Sequence, residues 1–402
     1  MTRKLGFVLL LLLICLMPAT VSAETSDIRL LESSTDADFP NVLSFNIRAE
    51  SSVPITRIRL RYEVAKKVYA PTFAEAWSEF QPAKDVSATW SWDMRKGILP
   101  PGARVTYWWV IEDSAGNRLT TPKQKVTFDD TRYKWQQVSD QNINIYWYQG
   151  SRTFAGDLLK AAVEAKERLE RDTGADLDEP VYIYIYANYS ELRSSIVDPD
   201  EWTGGVAYNG YNIISIGISP NNLAWGKKAV AHELGHLVTQ QLIGGPYGAM
   251  RPLWLDEGLA MHAEGDQSEA TERELQLAID DGRIATLRSL SSPFPASAEG
   301  AFYAYAQSQS VVEYLINNYG KEKINQFLVL LNDGYSVDEA LIKVYGFDLG
   351  GLDDAWLTYM ISEPQAKANT DKITRRNTHQ LRQVLDDLNF SPAVCIAATG
   401  GG

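Results

Sequence analysis

Apolar and polar residues alternate along the first third of this chain and recur at helical spacing along the rest. Arg57-Ile58-Arg59-Leu60-Arg61-Tyr62-Glu63-Val64 alternates without a break, the mark of a half-buried strand. Val105 to Glu112, rich in aromatics, predicts a second strand. Ser114-Ala115-Gly116-Asn117 predicts a turn, and Lys123 to Phe128 the returning strand. Pro100-Pro101-Gly102 punctuates the stretch between strands. Short strands with such turns predict a β-sandwich of immunoglobulin-like type over residues 24–135.

The pattern then changes. Ile143 to Tyr148, Val181 to Tyr186 and Ile213 to Ile218 read as strands. Phe154 to Asp172 has helical spacing, with Leu158, Leu159, Ala162, Val163, Ala165 and Leu169 available for one face. Trp225 to Leu242 reads as a helix. Beyond Glu257 helices are predicted at Gly258–Glu264, Glu272–Asp280, Ala301–Tyr319, Lys321–Leu331, Val337–Val344 and Asp353–Ile361. Residues 136–363 are therefore expected to form an α+β domain, a small mixed sheet followed by a helical half. Residues 364–402 read as a polar tail, with one helix around Thr374 to Leu388.

Composition narrows the functional classes. Hydrophobic residues make up 45% and charged residues 22%, an ordinary globular balance. The net charge of -13 argues against nucleic acid as the main partner and against docking on anionic lipid. The first 23 residues read as a secretory signal: Arg3 and Lys4, an apolar run from Leu5 to Met17, Pro18, then small residues at Val21-Ser22-Ala23. That run is too short to span a membrane comfortably. Ile14 precedes Cys15, where lipidation needs a small residue. Cys15 leaves with the signal and Cys395 remains, so no internal disulfide or cysteine metal site is expected. No later segment is apolar and long enough to be an integral membrane segment. The expected location is secreted or extracytoplasmic, in the cell envelope.

His232-Glu233-Leu234-Gly235-His236 is an H-E-x-x-H motif inside a predicted helix, and it uses two of the chain's four histidines. Residues four apart share a helical face, so both imidazoles can point at one metal ion. Glu233, one step round, can take a proton from water at that metal. Zinc lowers the pKa of water and polarises a carbonyl, which needs an open fourth position and so one further protein ligand. The alternative is an exposed helix with two solvated histidines. The flanks Ala229, Val230, Ala231, Leu234, Leu237 and Val238 argue for burial, and buried imidazoles need a partner.

The third ligand lies elsewhere. A third histidine on the H-E-x-x-H-x-x-G-x-x-H pattern fails, because Thr239 and Leu242 occupy the glycine and histidine positions. Glu257, in Trp254-Leu255-Asp256-Glu257-Gly258-Leu259-Ala260, is the stronger candidate. Gly244-Gly245-Pro246 lets the chain reverse, and Gly258 and Ala260 permit close helix approach. Glu257 as an acid at a helix N-terminus is the alternative. Glu264 and Asp266 are weaker rivals.

His232 to His236 with the Trp-Leu-Asp-Glu-Gly-Leu-Ala segment at this distance resembles the gluzincin metallopeptidases. Tyr305-Ala306-Gln307-Ser308, Tyr314-Leu315, Tyr319-Gly320, Tyr345-Gly346 and Ala355-Trp356 resemble the peptidase-MA-like domain of secreted bacterial proteins. The resemblance covers roughly residues 140–363. It implies a thermolysin-like zincin fold, a Zn2+ cofactor, a peptide or protein substrate, and a sheet edge strand that binds extended substrate. Ile213 to Ile218 is the candidate for that edge, with an ordinary core strand as the alternative. By position Tyr305 is carried over as the oxyanion-stabilising residue, with Tyr303 second and core packing the alternative for both. His262 is open to a supporting, a substrate-binding, a solvated or a merely packed role. The aminopeptidase branch carries a G-A-M-E-N segment whose glutamate holds the substrate amine. The comparable Gly204 to Gly210 has no acid, which tilts the expectation to an endopeptidase, and its glycines suggest either a mobile loop over the cleft or a surface turn. The rival class is a non-catalytic zinc-containing binding or scaffold protein of the envelope, against which the intact Glu233 argues. A hydrolase of other amides, such as cell-wall peptides, is a third possibility. No partner for the β-domain is legible.

Overall fold

The computed structural model describes residues 27–66, 73–97, 99–175, 179–197, 204–208, 210–244 and 251–367. The signal segment, the tail beyond residue 367 and most of the Gly244-Gly245-Pro246 reversal lie outside the described residues. The N-terminal part has seven antiparallel strands: β1 (Arg29–Asp38), β2 (Val42–Val64), β3 (Ala74–Trp77), β4 (Ala83–Asp93), β5 (Ala103–Asp113), β6 (Arg118–Thr120) and β7 (Gln124–Phe128). Strand β2 organises them. Its first half pairs with β1 and β4, and its second half with β3 and β5, across register shifts between Glu50 and Arg57. The charged and apolar alternation lies on the second half. In the first half Leu43, Phe45, Ile47 and Ala49 turn inward and are buried.

The second part begins with β8 (Gln136–Asp140), β9 (Ile143–Trp147), α1 (Arg152–Thr173), β10 (Val181–Tyr186), α2 (Tyr189–Arg193), β11 (Gly205–Tyr208) and β12 (Ile213–Gly217). Its five strands lie in the order β11-β12-β10-β9-β8; β9, β10 and β12 run parallel, and β8 and β11 close the two edges antiparallel. The sheet is thus mixed, as expected. Two expectations are corrected. Ile213 to Ile218 is interior, not the edge, because β11 covers it. The Gly204 to Gly210 stretch is not simply a loop, since Gly205–Tyr208 is that edge strand.

Helices follow: α3 (Leu223–Ile243), α4 (Leu253–Glu264), α5 (Glu269–Asp280), α6 (Ala298–Tyr319), α7 (Lys321–Asn332), α8 (Val337–Tyr345) and α9 (Leu349–Lys367). Among the described residues no helix is long and apolar enough to cross a membrane. Helix α1 starts where the Ser151 hydroxyl accepts from Phe154 N–H and stops at Gly174 in the left-handed region. Its buried face and that of α3 pack on one side of the sheet. Helices α4 to α9 share a second core around Trp254, Phe327 and Trp356. The seven-stranded part packs on the sheet's far side. There the turn at Gly102, with φ of 78°, seats against Tyr184, and a methyl group at 102 would stand 2.0 Å from the Tyr184 hydroxyl oxygen. Buried Asp130 ties the two parts together, accepting from Arg132 and from the Tyr186 hydroxyl.

Candidate metal centre

The site lies on the seam between the two helical cores. Helix α3 is buried on several sides: Val230, Ala231, Leu234, Leu237 and Val238 face the sheet core, and Gly235 faces α4. A methyl group on Gly235 would stand 2.6 Å from the Ala260 Cα, so the two helices meet backbone to backbone. Gly258, which the sequence placed in this contact, instead abuts the Ser308 carbonyl of α6. With α3 and α4 this close, a side chain one turn into α4 reaches the histidine face of α3.

That side chain is Glu257. Among the described residues, the one group of His, Cys, Asp or Glu side chains that converges as metal ligands can is His232, His236 and Glu257, with ligand atoms within 4.8 Å of one another. Glu257 Oε2 stands 3.4 Å from His232 Nε2 and 3.6 Å from His236 Nε2. Two ligand atoms each about 2.0–2.1 Å from a tetrahedral zinc stand about 3.4 Å apart. This buried oxygen has no hydrogen-bond donor among the described residues. A buried carboxylate oxygen facing two imidazole nitrogens at that spacing fits a divalent cation.

The outer nitrogens are braced. His232 Nδ1 bonds Glu264 Oε1 at 2.8 Å, and His236 Nδ1 faces Asp256 Oδ1 at 3.3 Å. Burial pushes the Asp256 carboxyl up, but His236 and Arg251 beside it outweigh burial and hold it below the usual range. Such carboxylates fix ring orientation and the nitrogen that faces the metal. Glu264 is therefore not a rival third ligand; it stands behind His232. Asp266 is exposed on the cleft wall, outside the converging group. The sequence carried a signal for both braces: Asp256 adjoins Glu257, and Glu264 follows it by two helical turns. Replacing Glu264 with Gln is expected to weaken zinc affinity about 10–100-fold, read by competition with a chromophoric chelator. Unchanged affinity would mean that Glu264 does not brace His232.

Glu233 and His232 open onto a cleft whose walls include Gly205, Trp225, Met261, Phe302 and Tyr305. Glu233 is 3% exposed. Tyr305 faces this cleft, its ring 6.3 Å from His232 and edge-on to Phe294. Tyr303 points elsewhere, its hydroxyl accepting from Arg283 at 2.7 Å. His262 lines no part of the cleft; it is buried and bonds Asp172 of α1 at 3.0 Å, a packed role.

The model of the peptidase MA superfamily matches residues 161–362, half of the chain, and the chain belongs to that superfamily. Among solved structures it is similar to an M1 zinc metallopeptidase from Deinococcus radiodurans, with 11% identity over 82% of this chain and 94% of that one and a TM-score of 0.38. It is also similar to Legionella pneumophila aminopeptidase A in complex with aspartic acid, with 12% identity over 84% of this chain and 50% of that one and a TM-score of 0.36. No curated protein sequence matches it.

Proposed function

We propose that this protein is a zinc-dependent peptide-bond hydrolase, an endopeptidase, acting outside the cytoplasm. The observation that carries the reading is the convergence of His232, His236 and Glu257 beside a carboxylate, Glu233, that lines the cleft with His232 but is not one of the three. When bound, zinc supplies Lewis acidity, raising the acidity of water and polarising the substrate carbonyl. Glu233 takes the proton from the attacking water and passes it to the leaving amine. Tyr305, on the cleft wall, donates to the developing oxyanion. Among the described residues no further strand pairs with the outer edge of β11, which leaves its backbone for an extended substrate. No carboxylate on β11 is available to hold a free amine, which favours internal cleavage.

In this reading residues 1–23 direct export. Residues 24–135 form an immunoglobulin-like module that presents substrate or targets the enzyme. Residues 136–363 form a thermolysin-like catalytic domain, followed by a polar tail over 364–402.

The test is mass spectrometry of a diverse peptide pool incubated with zinc-loaded protein, with protein stripped by chelator, and with stripped protein given zinc again. Cleavage is expected in the first, absent in the second and restored in the third, with products cut internally. Stepwise loss of N-terminal residues would overturn the endopeptidase reading. No cleavage by a protein that holds stoichiometric zinc would favour the non-catalytic binding or scaffold role.

A further inference from the structure

Edge strand β11 starts at Gly205, whose backbone lies directly against Glu233. A methyl group at position 205 would stand 2.4 Å from Glu233 Oε1, 2.9 Å from its Cδ and 3.1 Å from its Cγ. No side chain fits there while Glu233 keeps its place. The backbone at 205 does not demand glycine, since it is not among the positive-φ glycines. Its retreat is opposed by the β11–β12 ladder, in which Gly205 pairs with Ile216. The obstructed atoms are the far end of a glutamate, so the side chain gives way and the strand does not. The other close glycines of this region differ. Gly235 and Gly258 face backbone atoms of neighbouring helices, where a methyl group would press the helices apart.

We infer that Gly205 is the positioning residue of the Glu233 carboxylate: its bare backbone is the wall that sets where the carboxylate stops. The inference rests on the reading of Glu233 as general base. A base must stand within hydrogen-bond reach of the proton it takes, and a misplacement of about 1 Å costs on the order of 100-fold in rate. A side chain at position 205 would thus couple to catalysis through Glu233, the residue whose atoms it meets.

The experiment is a double-mutant cycle of Gly205→Ala and Glu233→Asp on the full-length zinc-loaded protein. It is read by kcat, KM, zinc content and thermal melting, with crystal structures of the wild type and the Gly205→Ala variant. Gly205→Ala is expected to keep zinc and melting temperature, to lose about 10–100-fold in kcat with KM little changed, and to show Glu233 swung aside. Aspartate is shorter by one methylene and withdraws the oxygen that comes closest to the new methyl group, so the clash is relieved in part. The double variant is therefore expected to lose less than the product of the two single losses. Strictly multiplicative losses, loss of zinc or melting temperature in Gly205→Ala, or kcat equal to wild type would each overturn the inference. Should the wild type cleave no peptide, the functional reading falls. The crystal structures then decide the placement alone, and an unmoved Glu233 carboxylate overturns it.

Discussion

Replacing Glu233 with Gln is expected to lower kcat by about two to four orders of magnitude and to leave zinc bound. The amide matches the carboxylate in volume, so the buried packing of α3 survives the change. It cannot take a proton at neutral pH, so the transfer from water to leaving amine loses its carrier. Zinc retention follows from geometry: the converging ligand atoms come from His232, His236 and Glu257, and Glu233 contributes none. Glu257→Gln separates the two roles, since it weakens the metal itself. Peptide cleavage rates beside elemental analysis of both variants make the check. A Glu233→Gln protein that cleaves within tenfold of wild type would remove Glu233 from the reaction. One that loses its zinc would make Glu233 part of the metal site.

The convergence of His232, His236 and Glu257 was more legible in the sequence than the topology. The i and i+4 histidines fix a shared face by helical geometry alone, and the structure bears this out, the two rings lying 4.9 Å apart. Glu257 required a reversal of chain and a close helix contact. Small residues announced the contact, although they are distributed differently from the simplest reading: Gly235 meets Ala260, while Gly258 meets α6. Tyr303 and Tyr305 could not be separated by spacing. Packing separates them, because Arg283 draws Tyr303 away from the cleft.

The edge of the sheet was misread for a physical reason. A buried interior strand and a buried edge strand show the same apolar run, and Ile213 to Gly217 carries nothing that marks what lies beside it. The true edge has four residues and opens on glycine, a composition that reads as loop. Strand β1 (Arg-Leu-Leu-Glu-Ser-Ser-Thr-Asp-Ala-Asp) hides for a related reason: it is mostly exposed and polar, and only its ladder with β2 makes it a strand. The first half of β2 was within reach, since Leu43, Phe45, Ile47 and Ala49 alternate with the polar positions between them.

The contact that assembles the metal centre sets the second large effect. Gly235→Ala adds one methyl group 2.6 Å from the Ala260 Cα. Unlike the neighbour of Gly205, this obstacle is backbone in the middle of a helix, and no rotamer relieves it. Helix α4 must move away from α3, and Glu257 moves with it from the two imidazoles it faces at 3.4 and 3.6 Å. Overpacking of this kind costs about 1–3 kcal/mol. The displaced ligand adds a loss in zinc affinity, so the melting temperature should fall further in zinc-loaded protein than in stripped protein. Gly156→Ala is the matched control. It lies inside α1 with no neighbour near its added methyl group, and a helix interior favours Ala over Gly by about 0.5–1 kcal/mol. The pair should therefore move melting temperature in opposite directions, and only Gly235→Ala should change zinc affinity. Equal zinc affinity in both variants would mean that the α3–α4 spacing does not hold Glu257 in place, and that the third ligand is set by contacts on the α6 side of α4 instead.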